Sequence, residues 1–394
     1  MHHGRSLKTG LPPATYTLDA DFADGSFVNV NAKVTNQLQL SSDSTPFNFI
    51  WVPCSSRGTI VKVDTITGKI LSEYKSAPDG IYGNPSRTTV DKDGSVWLTN
   101  RDVYPGTVVH IGLDENNQCN DRNSSKIIDT SQGLGDIRGW PGLTAADAKD
   151  ECIVHYTKVN SAGTRHVSID ANNDVWVSGI SPQAFDKIKG GKYDIAGSGT
   201  IVKSYASVGY GGYGGLMDKN GVIWSTNPLL RWDTSLDLTG ANGDPSGDDV
   251  GPPISGTNWT GNFGDTYGSC IDSQGNVWIT KLSGSLISKY ASTGVFLGSY
   301  AHGNTYAQGC VVGKNDDVWV AHSLISSTTV GHIKNDGSFV GTVDLSGGVG
   351  PTGVSVDARG KVWSANYISS TLSRIDPTLS NGSSGSYSGP RNWM

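Results

Sequence analysis

The chain has 394 residues, a formal net charge of -6, 17% charged residues and 52 glycines. It has no Lys/Arg run to serve as an electrostatic footprint for nucleic acid, no apolar run long enough to span a bilayer, and no signal-peptide core in residues 1–30. Few helical patterns and abundant glycine fit an all-β protein with many tight turns.

The first 45 residues form an extension with two alternating stretches, 18–31 and 36–41, that read as strands. Within them Asp19, Asp21 and Asp24 precede Gly25 at irregular spacing, which reads as a capped turn rather than a calcium loop.

From residue 46 one unit recurs seven times, around Trp51, Trp97, Trp176, Trp224, Trp278, Trp319 and Trp363. Each unit has a short apolar run ending near an Asp, a polar turn, and an apolar run carrying the tryptophan. The turns Asp91-Lys92-Asp93-Gly94, Asp218-Lys219-Asn220-Gly221, Asp272-Ser273-Gln274-Gly275 and Asp357-Ala358-Arg359-Gly360 suit tight hairpins, because Asp, Asn and Gly tolerate the backbone angles required. A third alternating run follows, and often a fourth. Four short strands per unit at a spacing of roughly 40 to 50 residues predict a seven-bladed β-propeller of four-stranded antiparallel blades. The blades are expected at 46–80, 82–160, 161–207, 208–260, 261–302, 303–347 and 348–380, with each tryptophan packing between neighbouring sheets. The N-terminal strands then either close the ring or pair with a neighbouring copy, giving a homo-oligomer or fibre.

Blade two carries a long insertion, 112–159, in which residues 144–150 read as a short helix and 153–158 as a strand. Asp121, Asn123, Ser125, the carbonyl of Ile127 and Asp129 follow the oxygen spacing of an EF-hand-like calcium loop, with Lys126 in place of its glycine and Gln132 in place of its glutamate. Cys119 and Cys152 flank this insertion and are positioned to staple it, which suits an oxidising compartment. Cys270 and Cys310 read equally as small buried residues or as a bridge, and Cys54 is left over. The glycine-rich segments of blade four lead into no helix, so they are loops rather than phosphate cradles. Residues 381–394 are Ser/Gly-rich and read as a linker or frayed end.

First strands line a propeller's channel, so residues at their entry should gather at its mouth. These are Arg87, Arg165, His166, Tyr213, Tyr267 and Gln308, joined by Lys281 and His322 from the ends of the tryptophan strands. Arg87, Arg165, Tyr213, Tyr267, Gln308 and His322 make a ring suited to an anionic or sugar-like small ligand, a glycan or a protein. His166, His322, Arg87 and Lys281 are the candidates for catalysis, because imidazole changes charge near neutral pH. The two histidines have no carboxylate at an aligned position.

The segment 350–366, GPTGVSVDARGKVWSAN, with SRTTVDKDGSVWLTN and GGLMDKNGVIWSTN, resembles the repeat of the virginiamycin B lyase (streptogramin lyase) superfamily and, more loosely, of NHL-type propellers, over about residues 47–376. The resemblance implies a seven-bladed propeller and, for the lyase itself, opening of a cyclic depsipeptide by elimination with magnesium, a histidine and a glutamate at the channel mouth. The superfamily's Pro-His-Gly corresponds here to Pro351-Thr352-Gly353, and none of the seven positions after the tryptophans holds glutamate. The wider likeness is to exported bacterial members. These departures lead to the expectation of an extracellular or surface binding module, calcium-stabilised and non-catalytic, with a lyase using magnesium as the alternative.

Overall fold

The Asp-x-x-Gly turns close as their chemistry requires. Asp91 Oδ1 accepts the amides of Asp93 at 2.9 Å and Ser95 at 3.0 Å, while Gly94 takes a φ of 88°. Asp218, Asp272 and Asp357 repeat the arrangement with Gly221, Gly275 and Gly360 at φ of 81°, 86° and 79°. Glycine carries this left-handed conformation without a side-chain penalty.

The computed structural model describes residues 30–34, 37–40, 47–206, 208–235, 250–251, 265–379 and 384–387. The chain divides into two units, Met1–Phe47 and Asn48–Met394. In the first, Val30–Val34 and Gln37–Leu40 pair antiparallel as a hairpin, in the neighbourhood of the two expected strands. Asp19, Asp21 and Asp24 lie outside the described residues.

The second unit is a seven-bladed propeller of antiparallel sheets, each built in sequence order from the channel outward. First strands Pro85–Val90, Ala162–Ile169, Gly215–Met217, Thr266–Ile271, Ala307–Val312 and Pro351–Val356 form the hub of blades two to seven. Blade one has three described strands, Phe49–Cys54, Thr59–Asp64 and Ile70–Lys75, and begins with its tryptophan strand. In the stretch read as a tail, Ser384–Tyr387 pairs with Thr371–Ile375 as the fourth strand of blade seven. Backbone hydrogen bonds make that pairing, and a Ser/Gly composition does not advertise it.

Each indole packs against the following blade. Trp51 meets Val96 and Leu98, Trp97 meets Val175 and Val177, and Trp176 meets Ile223 and Leu230. Trp224 continues onto Val277 and Ile279, Trp278 onto Val318 and Val320, and Trp319 onto Val362 and Ile375. Trp363 of blade seven closes the ring on Val61 and Val63 of blade one.

A second repeat lies across each tryptophan, on the third strand. Lys62, His110, Lys187, Arg231, Lys289, His332 and Arg374 stand directly opposite the seven tryptophans in register. Lys289 Nζ sits 4.7 Å from the Trp278 ring centroid, and the His110 and His332 rings stack 4.1 and 4.0 Å from Trp97 and Trp319. Lys62 departs from the pattern, with its Nζ 4.4 Å from the Phe49 centroid. The turn aspartate completes the set in three blades by accepting the indole N–H: Asp170 from Trp176, Asp272 from Trp278 and Asp357 from Trp363, at 3.3, 3.4 and 2.9 Å. Attraction between cation and ring face holds the strand pair over the indole where the partner is Lys187, Arg231, Lys289 or Arg374, and ring stacking does so where it is His110 or His332.

The blade-two insertion clamps blade one. Trp140 is fully buried in the core shared by blades one and two, and its backbone pairs with Asp79 in both directions. Ser131 Oγ accepts the Glu73 amide at 2.9 Å, and Cys119–Cys152 forms the expected disulfide. The stretch expected to be a helix is a single 3-10 turn, Ala145–Asp147, with Thr144 and Asp147 capping each other. It stops there because the Lys149 amide bonds to Gly139 O at 2.8 Å rather than to the preceding turn. Cys270 and Cys310 also form a disulfide, joining the first strands of blades five and six. Cys54 is buried, and desolvation, with Glu73 nearby, pushes its thiol up to about 12.

Candidate functional site in the channel

Hub strands approach one another closely where they carry glycine. A Cβ on Gly214 would lie 2.4 Å from Tyr267 O, and one on Gly268 would lie 2.3 Å from Gln308 O. Backbone cannot yield there as a side-chain tip can. Gly268→Ala is therefore expected to lower stability by about 1–3 kcal/mol through overpacking, read as a lower melting temperature; an unchanged melt would show that the hub is looser than this spacing implies.

The position just before this glycine faces the axis. It supplies Ser86, Arg165, Tyr267, Gln308 and Thr352 to a cavity of about 580 Å³, which Ile50, Val52 and Pro53 of blade one border directly. Arg165 donates through Nη1 to Tyr213 Oη, its guanidinium carbon stands 4.3 Å from the Tyr213 centroid, and Tyr213 donates to Tyr267 Oη at 3.0 Å. Arg87 reaches across the channel from blade two, donating to Tyr267 O at 3.3 Å with its guanidinium carbon 5.2 Å from that ring. Arg101, from the loop after the blade-two tryptophan strand, lines the same cavity and donates to Asn84.

These three guanidiniums form no ion pair with a carboxylate among the described residues. The Nε atoms of Arg101 and Arg165 are buried without a hydrogen-bond partner among the described residues. Burial draws the Arg165 pKa below the usual guanidinium range; the charges of Arg101 and Arg87 add to that, and the two tyrosines oppose it. Desolvation first, then Tyr267, pushes the Tyr213 phenol up to about 12, so it stays protonated as a donor. Like charges held together in a half-dry channel are relieved by an anion.

Arg87, Arg165, Tyr213, Tyr267 and Gln308 thus converge as expected, whereas the histidines do not. His166 occupies the glycine position, facing blade four instead of the axis: a Cβ on Gly215 would lie 2.3 Å from its Nδ1. It is fully buried, 3.0 Å from Ser225 Oγ and 2.9 Å from Ser168 Oγ, and desolvation takes its pKa down to about 4. His322 stands where Asn100 and Asn366 stand, and that position brackets the second and third strands of a blade. Its Nδ1 lies 2.9 Å from Thr329 Oγ1, as Asn100 bonds Thr107 and Asn366 bonds Thr371. His302 adjoins it at 3.1 Å; desolvation, reinforced by that neighbour, brings His322 to about 3. Lys281 is half-buried beyond the cavity wall, its pKa lowered by burial against the opposing pull of Asp265. Arg101 and Tyr367 were missed, although each directly follows an aligned asparagine at the end of a tryptophan strand.

The five residues of the calcium-like stretch share one loop, but their oxygens serve its own backbone. Asp121 accepts the amides of Ser125 at 3.0 Å and Lys126 at 2.8 Å, and Asn123 accepts that of Ser125 at 2.8 Å. Ser125 Oγ donates to Ile127 O, and Asp129 pairs with Arg138 at 3.1 Å. These bonds fold the loop on its own side chains, the acceptor pattern of an Asx-type turn. Among the described residues no group of three or more His, Cys, Asp or Glu side chains converges.

No family model and no curated protein matches the sequence. Solved structures do: selenomethionine-substituted virginiamycin B lyase from Staphylococcus aureus, at 16% identity and a TM-score of 0.54, covers 80% of this chain and 87% of its own. A streptogramin B lyase structure matches at 15% identity and 0.57, with 83% and 89% coverage. A catalytically inactive variant of the Staphylococcus aureus lyase, solved with quinupristin, matches at 16% and 0.52, with 79% and 86%. At this identity the likeness shows a shared seven-bladed propeller fold and leaves activity to the site. No described helix is long and apolar enough to cross a membrane.

Proposed function

We propose that this propeller is a binding module that takes an anionic ligand in its channel. One observation carries the reading: Arg87 and Arg165 meet at the Tyr213–Tyr267 pair and Arg101 lines the same cavity, with no carboxylate pairing any of them among the described residues. Guanidinium forks recognise carboxylate, phosphate or sulfate oxygens bidentately, and the protonated phenols add donors. The polar lining residues described are arginine, tyrosine, amide and hydroxyl groups, a set that can donate to an anion at several points. Two disulfides support an extracellular or cell-surface setting.

Titration with galacturonate, citrate and phosphate by calorimetry tests the reading. Arg165→Met is expected to weaken the best of these roughly tenfold to a hundredfold, from the loss of one or two charge-assisted hydrogen bonds. The proposal fails if no anion binds or if Arg165→Met and Arg87→Met bind as the parent does. The shared fold favours a second reading, a streptogramin-type lyase. Incubation with quinupristin, followed by mass spectrometry for ring opening, decides it: turnover that disappears in Arg165→Met would replace the binding-only reading with a catalytic one.

A further inference from the structure

The arginine end of the channel opens onto a face with an unusual display of tyrosine. First strands begin at that end, so the loops between second and third strands and the connections between blades all lie there. Tyr82 and Tyr306 sit on blade-to-blade connections, and Tyr104 and Tyr367 on second-to-third-strand loops, with 54%, 47%, 86% and 54% of their surface exposed. Tyr367 also lines the cavity, which makes rim and channel one continuous surface. Exposed aromatic groups gathered on one face of a chain mark a contact surface.

We infer that this face binds an acidic polysaccharide, with one uronate or sulfated unit held by the channel arginines and neighbouring units lying on the tyrosine rim. The inference rests on the anion-binding reading above and extends it to the ligand's class and length. Three observations select a glycan over a peptide. The arginines supply forks for an acidic group at the centre. Ser86, Gln308 and Thr352 supply hydroxyl and amide partners beside it, as sugar hydroxyls require. The rim sets exposed phenols beside the aliphatic Ile180, Ile325 and Ile368, and phenol faces suit the C–H surface of a pyranose ring. Contacts in series along one chain raise affinity with length, because each further unit binds as an intramolecular step.

Calorimetry with galacturonate, trigalacturonate and hexagalacturonate tests this, with cellohexaose and hexaglutamate as comparisons. Affinity is expected to rise at least tenfold from monomer to hexamer. The double variant Tyr104→Ala/Tyr306→Ala, both residues being exposed, should fold normally by circular dichroism, keep monomer binding and reduce the length dependence to less than about threefold. Arg165→Met should weaken all three acids together. Equal affinity for monomer and hexamer, or cellohexaose binding as tightly as the acid hexamer, would overturn the glycan inference while leaving the anion site in place. Hexaglutamate binding more tightly than hexagalacturonate would assign the face to an acidic protein instead. Failure of every acid to bind would remove both readings.

Discussion

Acidification from neutral pH to about pH 5 is expected to strip several kcal/mol from the stability of this propeller, through histidines folded in their neutral form. His166, His302 and His322 are fully buried, and desolvation brings them to about 4, 4 and 3, with His302 also pressing on His322. His155 falls to about 3, by burial and then His110, and burial also lowers His110 itself. The unfolded chain takes up protons below its ordinary histidine pKa of 6.5 while the folded chain does not. Stability is therefore full above that value and declines as pH falls toward the folded values, by about 1.4 kcal/mol per pH unit for each group well below pH 6. Asp150, raised by burial, works in the opposite direction as one group against five. Domains of ordinary stability have only about 5–15 kcal/mol to lose, so unfolding is expected between about pH 5 and pH 4. Thermal melts from pH 8 to pH 4 check this, and His322→Asn, the residue blades two and seven use at that position, should flatten part of the slope. A melting temperature constant down to pH 5 would contradict the buried neutral state.

Glu73→Ala is expected to cost about 1.5–3 kcal/mol, the range for hydrogen bonds to a charged group, because Glu73 is buried while its partner Arg57 stays exposed to water. Glu73 is completely buried and accepts Arg57 Nε and Nη2 at 2.9 Å each, Thr59 Oγ1 at 2.7 Å and the Gly135 amide at 2.9 Å. Arg57 and Thr59 belong to blade one, whereas Gly135 belongs to the insertion of blade two. The substitution should therefore loosen the insertion as well as lower the midpoint of unfolding, making 112–159 the first segment cut by a protease. Unchanged melting with unchanged proteolysis would mean that the disulfide and Trp140 hold the clamp without it.

The propeller was legible because the tryptophan strand recurs in all seven blades and the aspartate–glycine turn precedes it in four of them. The strand count at the ring's seam was not. Blade one begins at Phe49 and blade seven recruits Ser384–Tyr387, and neither fact has a side-chain signature. Within the site, Arg87, Arg165, Tyr213, Tyr267 and Gln308 were found by alignment alone. His166 was misplaced for a reason the alignment already contained: it stands in a column of Gly214, Gly268, Gly309 and Gly353, and a column that favours glycine is one where neighbouring backbone arrives. The Cys270–Cys310 bridge was left open because residues one position apart in adjacent hub strands meet only once the spacing of those strands is known. The residue opposite each tryptophan went unnoticed because Lys, Arg and His share register there, but neither charge nor identity.

The hand-over of each indole to the following blade has a mechanical consequence. Every sheet is both plug and socket, so no blade can leave without emptying one seat and baring another, and the disc should come apart in a single event. A nick in a surface loop breaks none of these seats. A chain cut there, or restarted there with its original ends joined, should still assemble into the same wheel.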